Sequence, residues 1–219
     1  MIPLRDENRT RSFPFFVLLI IAANVAVFVY QFVLAGGNFP SYLNEYGLIP
    51  NEITGVGKLS KFHLKNTVST DFVTAMFMHG GPGHLLSNMW FLWIFGDNIE
   101  ERFGHSNFLV FYFLSGVLAS LTHVLSDSTS QVPMVGASGA IAGVLGAYFV
   151  LFPFHRILTL VPLGIIFTTA RVPAVIFLGI WFVMQLLYSA LGGNVAWWAH
   201  IGGFVAGIFL GLFFRKSSK

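Results

Sequence analysis

The stretch MVGASGAIAGVLGAY, residues 134–148, decides the fold of this chain. It is apolar over its whole length, yet it contains four glycines and one serine, Ser138, near its start. Small residues at this spacing let two helices approach closely in lipid, where hydrophobicity does not drive helices together. The stretch therefore predicts a closely packed membrane helix that carries a hydroxyl group near one end.

The composition of the whole chain also favours a lipid environment. Only 10% of the 219 residues are charged, whereas 55% are hydrophobic and 16% are aromatic. This leaves too little polar surface to cover a water-soluble protein of this size. The net charge of +3 is too small to indicate nucleic acid as a partner, and zero cysteines exclude disulfides, a thiol nucleophile and thiolate metal sites.

About six stretches are long and apolar enough to cross roughly 30 Å of hydrocarbon, which takes about 20 residues per helix. The predicted spans cover residues 13–35, 83–101, 107–126, 135–152, 173–191 and 196–214. We therefore expect an all-α polytopic membrane protein, with a membrane domain at 13–214 between an N-terminal segment, 1–12, and a basic tail, 215–219. Residues 36–81 are expected to form a long first loop with short interfacial helices, and residues 155–173 an interfacial connection.

The lysines and arginines near the span ends predict the orientation in the membrane. With an even number of spans, nine of them fall on one side: Arg5, Arg9, Arg11, Arg102, Arg156, Arg171, Arg215, Lys216 and Lys219. Lys58, Lys61 and Lys65, in the long first loop, fall on the other side. Both termini are therefore expected in the cytoplasm, and spans two, four and six all begin at the outer face.

These three spans carry polar side chains within their first turns. The residues are His84 and Asn88 in span two, Ser138 in span four and His200 in span six. Because the three spans enter from the same face, we expect the four side chains at one depth, just below the outer interface. Trp197 and Trp198 favour that depth for His200, since indole rings prefer the headgroup boundary.

Small residues predict that spans four and six pack against each other. They recur at four-residue spacing: Gly139 and Gly143 in span four, and Gly203, Gly207 and Gly211 in span six. His200 lies on the same helical face as the glycines of span six. The stripe that brings the two helices together is therefore expected to direct the imidazole towards Ser138.

Ser138 and His200 form a candidate catalytic pair. A serine hydroxyl is a poor nucleophile until a base accepts its proton, and histidine, with an ordinary pKa of about 6.5, suits that role. The tetrahedral intermediate of acyl transfer needs donors for its negative charge, and His84 and Asn88 can supply them from one helical face. No carboxylate lies near the outer ends of these spans, so we expect a Ser-His dyad without an acidic orienting residue, a metal or a cofactor.

Other polar residues have simpler interpretations. His123, in span three, is expected to join two helices by a hydrogen bond. His79 precedes His84 by five residues, but no HExxH motif or carboxylate partner indicates a metal site there. The cluster from Asp97 to Arg102 is expected to anchor the cytoplasmic end of span two by salt bridges. The strongest alternative function is a small-solute channel or transporter with a pore lined by His84, His123 and His200.

The chain resembles the rhomboid family of intramembrane serine proteases, in its short bacterial type. The motifs that carry the resemblance are HxxxN at His84–Asn88, GxSG at Gly136–Gly139 and AHxGG at Ala199–Gly203. The stretch FGDNIEERFG, residues 95–104, also resembles the family's pattern after the second helix. Together the resemblance covers about residues 70–212.

This resemblance implies a six-helix rhomboid-like bundle in the bacterial cytoplasmic membrane that cleaves transmembrane proteins near the outer interface. It assigns the nucleophile to Ser138, the general base and acid to His200, and the oxyanion hole to His84 and Asn88. A non-catalytic membrane chaperone of related shape is a further alternative. Ala142 stands where many members carry an aromatic residue that stacks on the catalytic histidine, so another side chain has to hold the His200 ring. The first loop also lacks the tryptophan-arginine pair of many members.

Overall fold

The computed structural model describes residues 1–34, 39–55, 68–164, 166–193 and 195–214. Within these residues the chain is mostly helical. The helices are α1 (Phe15–Leu34), α2 (Phe39–Tyr46), α3 (Pro50–Thr54), α4 (Val68–Thr74), α5 (Pro82–Phe103), α6 (His105–Ser126), α7 (Ser138–Leu151), α8 (Ala174–Leu191) and α9 (Trp197–Phe214). The strands are β1 (Ile2–Asp6), β2 (Arg156–Leu163) and β3 (Ile166–Pro173). The predicted tail, 215–219, and Lys58, Lys61 and Lys65 of the first loop lie outside the described residues.

Six helices coincide with the predicted spans to within three residues at each end: α1, α5, α6, α7, α8 and α9. Among the described residues, α1, α6, α8 and α9 are long and apolar enough to cross a membrane. Helix α5 has 22 residues but ends in charged side chains, and α7 is apolar but has only 14 residues. The prediction of several membrane spans is confirmed, whereas the count of six stays a prediction. The short helices predicted in the first loop are present as α2, α3 and α4.

The expectation of an all-α fold is wrong, because the chain also forms a three-stranded antiparallel sheet with the order β1-β2-β3. Strands β2 and β3 form a hairpin that pairs from Arg156↔Pro173 to Leu163↔Ile166. The connection predicted between spans four and five is therefore a hairpin rich in β-branched residues, which favour strands. Strand β1 belongs to the segment that we separated from the membrane domain, yet it pairs with β2 from Ile2↔Leu160 to Asp6↔Ile157.

The core of the bundle is the contact between α7 and α9. Every residue from Ala140 to Tyr148 is buried. A Cβ atom added at Gly203 would collide with the carbonyl oxygen of Gly139, and one added at Gly207 would collide with that of Gly143. The prediction that glycine stripes bring these two helices into backbone contact is confirmed.

The sheet lies at one end of the bundle, which we call the sheet end, and Ser138 lies at the other, the serine end. At the sheet end Glu100 is fully buried, and its carboxylate accepts the backbone N–H groups of Phe16 at 2.9 Å and Val17 at 2.8 Å and contacts Nδ1 of His105. The first N–H groups of a helix have no intrahelical partner, so Glu100 supplies partners for the start of α1. In the predicted anchoring cluster, Glu100 therefore interacts with backbone N–H groups and with a histidine.

Asp6 ties the sheet to the helices. Its Oδ2 accepts hydrogen bonds from Nδ2 of Asn98 at 2.6 Å and from the hydroxyl of Tyr148 at 2.8 Å. Burial raises the pKa of Asp6 to about 7, and the nearby charge of Asp97 acts in the same direction. Strand β1 is therefore held against α5 and α7 by a half-buried carboxyl group.

Candidate active site

A cavity of about 890 Å³ lies at the serine end, where α5, α7, α8 and α9 face one another. The side chains of His84, Asn88, Ser138 and His200 all line this cavity. The structure therefore brings together all four residues that the sequence selected for a site.

Ser138 and His200 are joined by a hydrogen bond. Nε2 of His200 lies 2.9 Å from Oγ of Ser138. Ser138 is the first residue of α7, and His200 lies in the first turn of α9, so the packing of the two helices brings both groups to the same level. A Cβ atom added at Gly139 would come within 2.8 Å of the Cβ of Ala119 on α6. The residue after the serine therefore has to be small for the helices to pack this closely.

Side chains from α8 and α9 hold the His200 ring. Nδ1 of His200 lies 2.9 Å from Oε1 of Gln185 on α8. The indole of Trp181 lies 6.1 Å from the imidazole, centroid to centroid, and the indole of Trp197 packs edge-on at 5.8 Å. These contacts take the place of the aromatic residue that Ala142 does not provide.

The sequence analysis missed Gln185 and Trp181. Gln185 is the only amide side chain in α8, whose sequence is otherwise almost wholly apolar, AVIFLGIWFVMQLLYSAL. A polar residue inside a membrane helix is a candidate functional residue by default, and Gln185 follows Trp181 by one helical turn. That signal was present in the sequence.

Two further donors line the same cavity as the serine. Nδ2 of Asn88 is buried and has no hydrogen-bond partner among the described residues. Nδ1 of His84 accepts the backbone N–H of Gly80 at 3.3 Å, so the ring proton resides on Nε2. Nε2 of His84 and Nδ2 of Asn88 both lie against Gly136, within 2.8 and 3.4 Å of a Cβ atom added there. Two N–H donors are thus available next to the GxSG segment.

Gly136 is required by its backbone as well as by space. Its φ of +115° is accessible to glycine without the strain that other residues meet there. Its N–H donates to the carbonyl of Ala75 at 2.8 Å, which fixes the loop before α7. The conformation of Gly136 therefore fixes the path of the loop that leads to Ser138.

The other histidines do not join the dyad. Nδ1 of His123 is buried without a partner in the described part of the chain, so this nitrogen does not make the predicted link between helices. Nδ1 of His79 lies 3.2 Å from the carbonyl of Phe77, and the ring packs edge-on against His84 at 5.2 Å. Burial lowers the pKa of His79 to about 4, which keeps this ring neutral near pH 7. The described residues contain no group of three or more histidine or acidic side chains that could hold a metal ion.

Comparisons with known proteins agree on one family. A family model described as the rhomboid domain matches residues 66–217. The chain is 31% identical to Rhomboid protein 1, mitochondrial, of Saccharomyces cerevisiae over 170 residues, which is 73% of this chain and 45% of that protein. It is 28% identical to Rhomboid protease GluP of Bacillus subtilis over 196 residues, 90% of this chain and 34% of that protein. The chain thus spans less than half the length of these two relatives. Rhomboid-like protease 3 of Toxoplasma gondii is 27% identical over 203 residues, 91% of this chain and 69% of that protein.

Proposed function

The chain belongs to the rhomboid family of multi-pass membrane proteins, and from this premise we propose that it is an intramembrane serine endopeptidase. Its substrates are transmembrane proteins, and it hydrolyses their peptide bonds near the outer membrane interface. The observation that carries the proposal is the hydrogen bond of 2.9 Å between Nε2 of His200 and Oγ of Ser138 at the cavity of the serine end.

In the proposed mechanism, Ser138 is the nucleophile. His200 accepts the hydroxyl proton on Nε2 while Oγ attacks the carbonyl carbon of the scissile bond. His200 then gives this proton to the leaving amine, and an acyl group remains on Ser138. His200 next removes a proton from a water molecule that attacks the ester. It returns this proton to Oγ as the bond to the acyl group breaks, which releases the second product and restores the serine.

Asn88 and His84 stabilise the negative charge of the tetrahedral intermediates. The unpartnered Nδ2 of Asn88 supports this role, because a buried donor without a partner carries a desolvation cost that a bound oxyanion removes. The protonated Nε2 of His84, on the same side of Gly136, provides the second donor. No metal or cofactor takes part in this chemistry.

The proposed topology has six spans, α1 and α5 to α9, in a bacterial cytoplasmic membrane. Both termini are cytoplasmic and the serine end lies near the outer interface. The distribution of arginines supports this orientation, since Arg5, Arg156 and Arg171 all belong to the sheet. The expected partners are transmembrane protein substrates and the surrounding lipid.

The test is cleavage by the purified chain in phospholipid vesicles that contain a panel of single-pass membrane proteins, with products identified by mass spectrometry. Wild type and Ser120→Ala are expected to cleave, because the buried Ser120 hydroxyl donates only to the carbonyl of Gly116 on its own helix at 2.9 Å. Ser138→Ala is expected to be inactive. Equal cleavage by Ser138→Ala, or solute flux through vesicles without cleavage of any substrate, would refute the proposal in favour of another nucleophile or of a channel.

A further inference from the structure

The amide of Gln185 has a fixed orientation. Its Nε2 donates to the backbone carbonyl of Trp181, one turn earlier in α8, at 3.0 Å. The oxygen of the amide is therefore the atom that lies 2.9 Å from Nδ1 of His200. An amide oxygen can only accept a hydrogen bond.

This orientation determines where the proton of the neutral His200 ring resides. Because Gln185 presents an acceptor, Nδ1 of His200 carries the proton and donates it to Oε1. Nε2 then has a free lone pair, which faces the hydroxyl of Ser138 at 2.9 Å. A single proton arrangement thus satisfies the whole chain of contacts from Trp181 through Gln185 and His200 to Ser138.

We propose that Gln185 is a positioning residue that holds His200 in the tautomer able to accept the proton of Ser138. The inference rests on the proposed function, in which His200 is the general base. A neutral amide can hold this tautomer without placing a charged carboxylate among membrane helices, where a charge is costly. When Nε2 takes up the serine proton, Nδ1 still donates to Gln185, so the contact persists through the reaction.

A purely structural role would also use this contact. Gln185 is the only buried residue in the second half of α8, whereas Ala174, Phe177 and Leu178 are buried near its start. At that start Phe177 stacks on Phe95 of α5, with 6.4 Å between the ring centroids. The bond to His200 therefore also docks the outer half of α8, and a test has to separate docking from the choice of tautomer.

Three variants make this separation. Gln185→Met keeps the length of the side chain but removes the acceptor, and Gln185→Glu keeps an acceptor oxygen. Ser189→Ala is the control on the same helix, because its hydroxyl donates to the carbonyl of Leu186 at 2.8 Å within α8. We expect Gln185→Met to lower kcat by about 10- to 100-fold with KM nearly unchanged, since a histidine in the wrong tautomer still binds substrate. Gln185→Glu restores most of kcat, and Ser189→Ala matches wild type.

Nitrogen-15 NMR of ring-labelled histidine reports the tautomer directly, with the His200 signals identified by their loss in His200→Ala. At a pH of about 8, above the ordinary histidine pKa, wild type and Gln185→Glu should show protonated Nδ1 and unprotonated Nε2. Gln185→Met should lose this preference. This readout needs no substrate, so it remains decisive if the chain cleaves nothing and the proposed function fails.

Two results would overturn the inference. One is a wild-type His200 ring protonated on Nε2, a measurement that does not depend on whether any Gln185 variant folds. The other is a Gln185→Met protein that keeps the wild-type tautomer and loses activity only through a raised KM or a lower unfolding temperature, which would assign Gln185 to docking of α8.

Discussion

Two buried polar side chains, one at each end of the helix bundle, differ in their hydrogen bonding. At the sheet end Glu100 is 0% exposed, and its carboxylate contacts two backbone N–H groups and a histidine. At the serine end Nδ2 of Asn88 is equally shielded from solvent and has no partner within the described residues. Buried polar groups in proteins are normally hydrogen-bonded, so a satisfied group indicates structure and an orphaned donor beside a nucleophile indicates a place for a ligand.

The largest expected effect is the loss of catalysis at the serine end. His200→Ala removes the proposed base, and we expect cleavage of a transmembrane substrate to fall by on the order of 10⁴-fold or more. The unfolding midpoint in detergent should fall by only a few degrees, because His200 lies outside the apolar core and the variant loses only its contacts with Gln185 and Ser138. Cleavage at the wild-type rate would assign the base to another residue.

Glu100→Ala is expected to lower the stability of the fold by a change at the sheet end. It leaves two N–H groups at the start of α1 without their acceptor, and we expect a loss of about 3 kcal/mol in the free energy of unfolding. The folded fraction should keep its kcat, measured at a temperature well below the midpoint. Glu101→Ala is the control with a smaller expected loss, since Glu101 is only half-buried and accepts the N–H groups of Arg11 and Ser12. Equal stability of Glu100→Ala and wild type would refute the anchoring role.

Asn88→Ala tests whether the unpartnered Nδ2 of Asn88 belongs to the oxyanion hole. We expect turnover to fall by about 10- to 1000-fold, as for the loss of one oxyanion donor, with stability unchanged because no hydrogen bond is lost. Asn107→Ala is the matched control, since its amide already has a partner: it donates to the carbonyl of Phe103, four residues earlier, at 3.2 Å. Unchanged turnover in Asn88→Ala would remove this residue from the oxyanion hole.

The smallest expected effect is the pH dependence at the sheet end. Burial raises the pKa of Asp6 from 3.8 to about 7, so its protonated form contributes stability that is complete below about pH 4 and is lost as the pH rises through 7. The unfolding temperature of wild type should therefore fall between pH 5 and 8, and Asp6→Asn should reduce that fall by about 2–4 °C. Glu52→Gln, at an exposed position on α3, should leave it unchanged. A pH profile of Asp6→Asn identical to that of wild type would contradict the account.

The sequence predicted the features of the fold that depend on local periodicity. The ends of α1 and α5 to α9, and the packing of Gly139 against Gly203, follow from apolar stretches and small residues at helical spacing. The pairing of β1 was missed because its partner strand is more than a hundred residues away, which no local pattern reveals. The hairpin of β2 and β3 is local, and its β-branched residues were a signal for strands that the sequence analysis did not use. Gln185 was recognisable as a polar residue in an apolar helix, but its role depends on His200 on the next helix and on the backbone carbonyl of Trp181, which no local pattern reveals.

The most direct test of the account is labelling with a fluorophosphonate, which reacts with an activated serine, followed by peptide mapping. We predict modification of Ser138 in wild type, loss of labelling in both Ser138→Ala and His200→Ala, and normal labelling of Ser120→Ala. Modification of another serine, or equal labelling of Ser138 with and without His200, would contradict the claim that the imidazole of α9 activates the hydroxyl of α7.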